Sequence, residues 1–480
     1  MLSSSATAIG AALRRRELTA AEVVDAHIAR IERVNPSLNA VVRDRFTAAR
    51  AEARAADERA ASLRPDELPP LHGVPFTTKD ALAAEGMPHT SGLWSRRSVV
   101  ADRDATAVAR LKAAGAILVG VTNISELCMW MESNNKVWGR TNNAYDPART
   151  AGGSSGGEGA IVGAGGVPIG LGSDVGGSIR MPAFFNGVFG HKPTGGLVPS
   201  TGHHPVAENL VQRYVTTGPL ARRAEDLMPF LRVVAGPDGV EANALPAREL
   251  GDPSSVDVAR LRVWVVPDNG LFAVEPAMQR AQARAARALE AAGARVERRA
   301  LPSLKRSIEI WSAMLDAGGG PSFYESMAAG GDLVVARELA KLPLGRSRFT
   351  FPGLMLCLIE RVPKLLGERR GAELVTLGRE LRAELDALLG DDGVLLFPSY
   401  PTVAPRHIVP LLVPLKWVYT AIFNVLELPV TQVPLGLDER DLPVGVQVAA
   451  AHGADHRTIA VALALEQAIG GWTPPPRLPL

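Results

Sequence analysis

The sequence predicts an α/β fold, and three observations carry the prediction. Apolar runs of strand length alternate with helically periodic segments along most of the chain. One clear helix-then-strand unit joins residues 105–114 to the strand 116–120 across Gly115. A second unit opens with a strand over 261–266 and runs into a helix over 276–292 before another strand. The expected architecture is three-layered, α/β/α, around a large mixed central sheet. At 480 residues the length alone leans towards two or three cores. One large sheet can carry that length, and the expectation is a single domain over residues 1–480.

Each element has a local reason. Thr19-Ala20-Ala21-Glu22 reads as a capping box, Val24, Ile28, Ile31 and Val34 follow at helical spacing, and Asn35-Pro36 is expected to stop the helix. An Ala/Arg/Glu-rich helix follows over 46–62. After a Pro/Leu loop, Gly73 to Lys79 reads as a short strand ending in a lysine. Residues 122–132 form a loop and helix carrying Met129, Trp130 and Met131. Small residues over 156–164 make a helix, and 167–171 a buried strand. Helices are expected over 224–234 and through most of 328–389. Within the latter, the stretch 349–366 is conspicuously apolar, with Arg361 and Lys364 among its hydrophobes. Late strands lie at 394–398 and 442–448, and a closing helix at 457–469.

Composition narrows the function. Net charge is +2 and the longest basic run is Arg14-Arg15-Arg16, so nucleic-acid binding is not expected. The two cysteines, Cys128 and Cys357, belong to no metal-ligand spacing, and a reducing compartment suits them. No window reaches the ~18 uncharged apolar residues that a spanning helix needs. The N-terminus lacks the apolar core of a signal peptide. A cytoplasmic protein is expected.

The chemistry concentrates between Ala151 and Pro182. Two glycine-serine clusters, Gly152-Gly153-Ser154-Ser155-Gly156-Gly157 and Gly176-Gly177-Ser178, flank a short apolar segment. Two such loops at one site would present serine hydroxyls and exposed backbone N–H groups, the parts acyl transfer requires. Serine needs a base. None of the nine histidines sits in a pattern that marks one, and His191, His203 and His204 read as loop or packing residues. A desolvated lysine can serve instead, and Lys79, ending an apolar strand before Asp80, is the best placed. Gly152-Gly153-Ser154-Ser155-Gly156 also satisfies G-x-S-x-G, which leaves a Ser-His-Asp hydrolase as an alternative.

The constellation of residues 73–80, residues 152–157 and Gly172-Ser173-Asp174-Val175-Gly176-Gly177-Ser178-Ile179-Arg180 resembles the amidase signature family. Ser125 to Trp130, Met181 to Gly187 and Leu428 to Gln432 look like its fatty acid amide hydrolase branch, particularly the second type. The resemblance implies a signature core over about residues 66–200 and a helical substrate-channel region over about 300–390. It also implies a Ser–cis-Ser–Lys triad. Ser178 would attack the carbonyl and become acylated. Ser154, after a non-proline cis peptide, would shuttle the proton, and a neutral Lys79 would receive it.

The N–H groups of Val175, Gly176, Gly177 and Ser178 would form the oxyanion hole, and Ser155 would hydrogen-bond within the triad network. Asp174 and Arg180 would support the loop. Cys128 and Met129 would line the pocket, Cys128 through its backbone. Substrates would be hydrophobic acyl or aryl amides, with esters and carbamates sharing the chemistry, and no metal or organic cofactor is implied. A glutamine amidase subunit of a transamidation complex is the related alternative. Peripheral membrane contact and a homodimer are compatible with the resemblance. Glu427 stands where the family usually has glycine, which puts the local turn in question.

Overall fold

Strand β2 (Pro75–Lys79) is buried at every residue and carries the lysine at its carboxyl end. In the computed structural model, which describes residues 1–360 and 368–480, β2 lies between β3 (Ile117–Thr122) and β6 (Ile169–Asp174) and runs parallel to both. Both faces of such a strand are covered, which is why it reads as a continuous run without alternation. Its register sets Thr77 beside Gly170 and Thr78 beside Leu171, so Lys79 and the loop after Asp174 leave the sheet at the same edge. The crevice outside the carboxyl ends of parallel strands is where α/β sheets hold ligands.

Among the described residues eight further strands join the sheet: β1 (Val41–Asp44), β7 (Phe189–Lys192), β8 (Thr216–Ala221), β9 (Arg262–Val265), β10 (Arg295–Arg298), β11 (Gly393–Phe397), β12 (Val430–Leu437) and β13 (Pro443–Ala450). The order is β1-β3-β2-β6-β8-β7-β12-β13-β11-β9-β10. Parallel clusters β3-β2-β6 and β11-β9-β10 are joined by antiparallel pairings through β8, β7, β12 and β13. A separate ribbon pairs β4 (Asn134–Asn135) with β5 (Gly139–Arg140). Helices Gly156–Gly163, Pro276–Ala291 and Asp455–Ile469 pack on the sheet and complete the α/β/α layering.

The capping box forms as expected: Glu22 N–H donates to Thr19 Oγ1 at 3.2 Å, and Thr19 N–H to Glu22 Oε2 at 2.9 Å. The stop at Asn35-Pro36 does not. The helix runs Ala20–Leu38 with Pro36 inside it and ends at Asn39, whose φ is 50°. Asn35 Oδ1 instead accepts from Ala40 N–H and Val41 N–H, satisfying the backbone just past the end. The strand expected over 167–171 extends to Asp174, because its partner β8 continues to Thr216.

Helix Gly156–Gly163 is built from small residues because it must approach its neighbours closely. A Cβ at Gly159 would meet Pro182 O at 2.7 Å. Within the apolar stretch 349–366, Phe351–Ile359 is a helix capped by Thr350; Leu354 and Cys357 are buried while Phe351 and Ile359 are exposed. Residues 361–366, with Arg361 and Lys364, lie outside the described residues.

Candidate active site

Lys79 reaches two hydroxyls: its Nζ lies 2.8 Å from Ser154 Oγ and 3.1 Å from Ser173 Oγ. All three residues are buried, Lys79 and Ser154 completely. Burial holds the Lys79 amine below its ordinary pKa, against smaller opposing contributions from Cys128, Asp174 and Glu158. The peptide bond between Gly153 and Ser154 is cis. Ser178 sits on the adjoining loop, and its carbonyl accepts from Ser155 N–H at 3.2 Å, tying the two glycine-serine loops together. Ser178 is 7% exposed, and among the described residues its hydroxyl makes no hydrogen bond.

Asp174 and Arg180 brace the second loop. Arg180 meets the carboxylate twice, Nε to Oδ2 and Nη2 to Oδ1, each at 3.0 Å, with both side chains fully buried. Burial alone would raise the Asp174 pKa, yet the guanidinium holds it well below the carboxylate range. Asp174 also accepts from Gly177 N–H at 2.6 Å and Ile179 N–H at 3.1 Å. The first of these corrects the expected oxyanion hole: Gly177 N–H is spent on Asp174 and is not free for a developing oxyanion. The N–H groups of Val175, Gly176 and Ser178 meet no acceptor among the described residues. Gly177 has φ 120°, a conformation open to glycine. On the other side of this loop, Trp311 Nε1–H donates to Val175 O at 2.9 Å and Thr420 Oγ1–H to Gly176 O at 2.7 Å.

Other expected residues fall nearby in altered roles. Ser155 bonds the backbone rather than the hydroxyl network, through Ser173 O at 3.3 Å and Ser173 N–H at 3.4 Å. Cys128 brings its thiol against Lys79 and Ser154, so its side chain as well as its backbone borders the site. Burial pushes that thiol up in pKa, the opposite of what a nucleophilic cysteine requires. Met129 is half-buried beside it. Glu427 keeps the glycine-like turn, with φ 56°, and its carboxylate pairs with Arg213.

Several contributors had no readable signal. Ser173 lay inside a motif yet pointed to no role, and His203 sits against it, Nε2 to Oγ at 2.8 Å. Beneath Lys79, Glu158 accepts from Thr77 Oγ1 at 2.6 Å and Thr122 Oγ1 at 2.8 Å, and burial pushes its pKa up to about 8. His191 is the packing residue expected, bonded to Thr431 and Asp455. Among the described residues no group of three or more His, Cys, Asp or Glu side chains could hold a metal ion.

The amidase family pattern matches residues 22–459. The chain belongs to the amidase family. It is an amide hydrolase with the mixed-sheet α/β fold of that family. Fatty-acid amide hydrolase 2-A of Danio rerio is 45% identical over 99% of this chain and 90% of its own length. Fatty-acid amide hydrolase 2 of Homo sapiens is 44% identical over 96% of this chain and 88% of its own. The solved structure of 6-aminohexanoate cyclic dimer hydrolase with substrate superposes with a TM-score of 0.78, at 28% identity and full coverage of both chains. No described helix is long and apolar enough to cross a membrane.

Proposed function

We propose that this amidase works through Ser178, Ser154 and Lys79 on amides with a hydrophobic acyl or aryl portion. The observation that carries the reading is the buried Lys79 amine 2.8 Å from Ser154 Oγ, on a loop bonded directly to Ser178. Ser178 Oγ attacks the carbonyl carbon. Its proton passes to Ser154 as the Ser154 proton passes to Lys79 Nζ. Oxygen charge develops before the N–H groups of Val175, Gly176 and Ser178, fixed donors of the kind that lower such barriers by about 3 kcal/mol each. Collapse breaks the C–N bond while the proton returns from Lys79 through Ser154 to the leaving nitrogen. Water then cleaves acyl-Ser178 by the same relay. The Ser-His-Asp alternative finds no support, since none of the histidines bonds to Ser154 or Ser178 among the described residues.

The similarity to fatty-acid amide hydrolases supports the hydrophobic substrate class. Exposed Leu344, Phe351, Ile359 and Leu412 support peripheral contact with a lipid surface, and the reading otherwise places the protein in the cytoplasm. One sheet built from residues 41 to 450 supports a single domain. Lys79→Ala tests the mechanism: kcat on an anilide should fall by roughly 10²–10⁴, and near-normal turnover would reject a lysine base.

A further inference from the structure

The hydrogen-bond network beyond Lys79 has a direction, and His203 sets it. His203 Nδ1 lies 2.9 Å from Pro205 O. A carbonyl only accepts, so Nδ1 carries the hydrogen and Nε2 of the neutral ring is an acceptor. Ser173 Oγ, 2.8 Å from Nε2, must therefore donate its hydrogen to His203. With its hydrogen committed there, Ser173 can only accept from Lys79 Nζ at 3.1 Å. A neutral amine has two N–H bonds and one lone pair. Once an N–H is held by Ser173, the lone pair is free to face the Ser154 hydroxyl at 2.8 Å.

The surrounding backbone holds His203 in place. Its loop is zipped to the segment that follows Lys79: Ala83 N–H donates to Gly202 O at 3.0 Å and His204 N–H to Ala81 O at 2.8 Å. His203 is 6% exposed. The titratable groups facing it are Lys79, His204 and His89, and those facing Lys79 include Cys128, Asp174 and Glu158.

We propose that His203 is a positioning residue of the reaction, which orients the Lys79 lone pair towards Ser154 by claiming the hydrogen of Ser173. The proposal rests on the Ser178–Ser154–Lys79 reading above. Without the acceptor on His203, the Ser173 hydroxyl is free to donate to Lys79 itself and compete with Ser154 for the lone pair. That donation favours the neutral amine. It therefore moves the acid limb of activity to lower pH while slowing the proton transfer.

Two polar variants separate this role from packing. Gln can bring an amide oxygen to the Nε2 position and satisfy Ser173. Asn reaches only the Nδ1 position, keeping the bond to Pro205 O and leaving Ser173 without its acceptor. The experiment measures kcat, KM and the pH profile of kcat/KM on an anilide for His203→Gln and His203→Asn, with thermal unfolding in parallel. Expected are near-normal kinetics for Gln, and for Asn a roughly tenfold to hundredfold fall in kcat with little change in KM and an acid limb displaced to lower pH. Equal effects of the two variants, or an unmoved acid limb in His203→Asn, would overturn the proposal. Ser173→Ala carries the same test if His203→Asn does not fold: removing the hydroxyl should lower kcat, and combining it with His203→Gln should cost nothing more. Full activity of Lys79→Ala would instead sink the underlying triad, whatever the His203 variants do.

Discussion

An ammonium group taken out of water loses several kcal/mol of hydration unless a carboxylate pays it back. At Lys79 the buried carboxylates that would favour its charge are already engaged, Asp174 by Arg180 and Glu158 by two threonines, and burial holds the amine below its ordinary pKa. Gly177 has little latitude around it. An added Cβ there would collide with Thr420, at a φ that side chains disfavour. Gly177→Ala should lower kcat roughly 10²-fold or more by displacing the Ser178 loop, and an unchanged acylation burst would contradict this. Glu158 gives a prediction in pH. Its folded pKa is raised from 4.5 to about 8, so the folded state holds the proton more tightly than the unfolded chain. The stability this contributes is complete below 4.5 and is lost as pH rises through 8. Glu158→Gln abolishes the titration, so its melting temperature should gain on that of the wild type as pH climbs across that window. A constant difference would place the proton elsewhere. Lys79, Ser154 and Ser178 were legible as candidates because two glycine-serine loops and a strand-end lysine occur together in the pattern of the amidase signature. His203 was not, because its partner Ser173 is 30 residues away in sequence and only the fold joins them.

Among the elements, the loop 174–180 matters most, and it is held from outside itself. Arg180 Nη1–H donates to Thr420 O at 2.8 Å and Gln447 Oε1 at 3.0 Å, and Nη2–H to Asn424 Oδ1 at 2.6 Å. One guanidinium thus ties the loop to helix Val418–Val425 and strand β13. Arg180→Met should destabilise the protein by about 3–5 kcal/mol, because it strands the Asp174 charge in the interior. A denaturation midpoint unmoved by the change would refute that assignment. The long helices and apolar strands were legible from periodicity. Strands β1, β7, β8 and β12 went unread: β1 and β7 have four residues each, and β8 and β12 carry internal proline and glycine that read as turns. Pairing within the sheet overrides those weak local preferences. The same applies at Glu427, where a left-handed residue keeps the turn that glycine would make easily, with Arg213 holding its carboxylate.

At the scale of the molecule, the order of the sheet brings residues remote in sequence to one crevice. Lys79 ends β2, Ser173 is the last residue but one of β6, and helix Val418–Val425 closes over the loop from the far end of the chain. The helical region joins from another side: Glu126, beside Cys128, accepts from Thr350 N–H at 2.9 Å and Thr350 Oγ1 at 2.7 Å. Burial pushes Glu126 up to about 7 in pKa, so neutral pH is where this strap changes charge. The α/β class was legible because alternation survives in the sequence. The strand order was not, since antiparallel joins between two parallel clusters leave no local trace. What the proposed mechanism asks of the whole arrangement is one serine acylated with the help of a buried lysine. The most direct measurement is peptide mapping of the adduct after reaction with a fluorophosphonate, with its rate compared in wild type and Lys79→Ala. The account predicts an adduct on Ser178 and labelling slowed by roughly 10²-fold or more when Lys79 is lost. An adduct on Ser154, or an unchanged rate without Lys79, would contradict it.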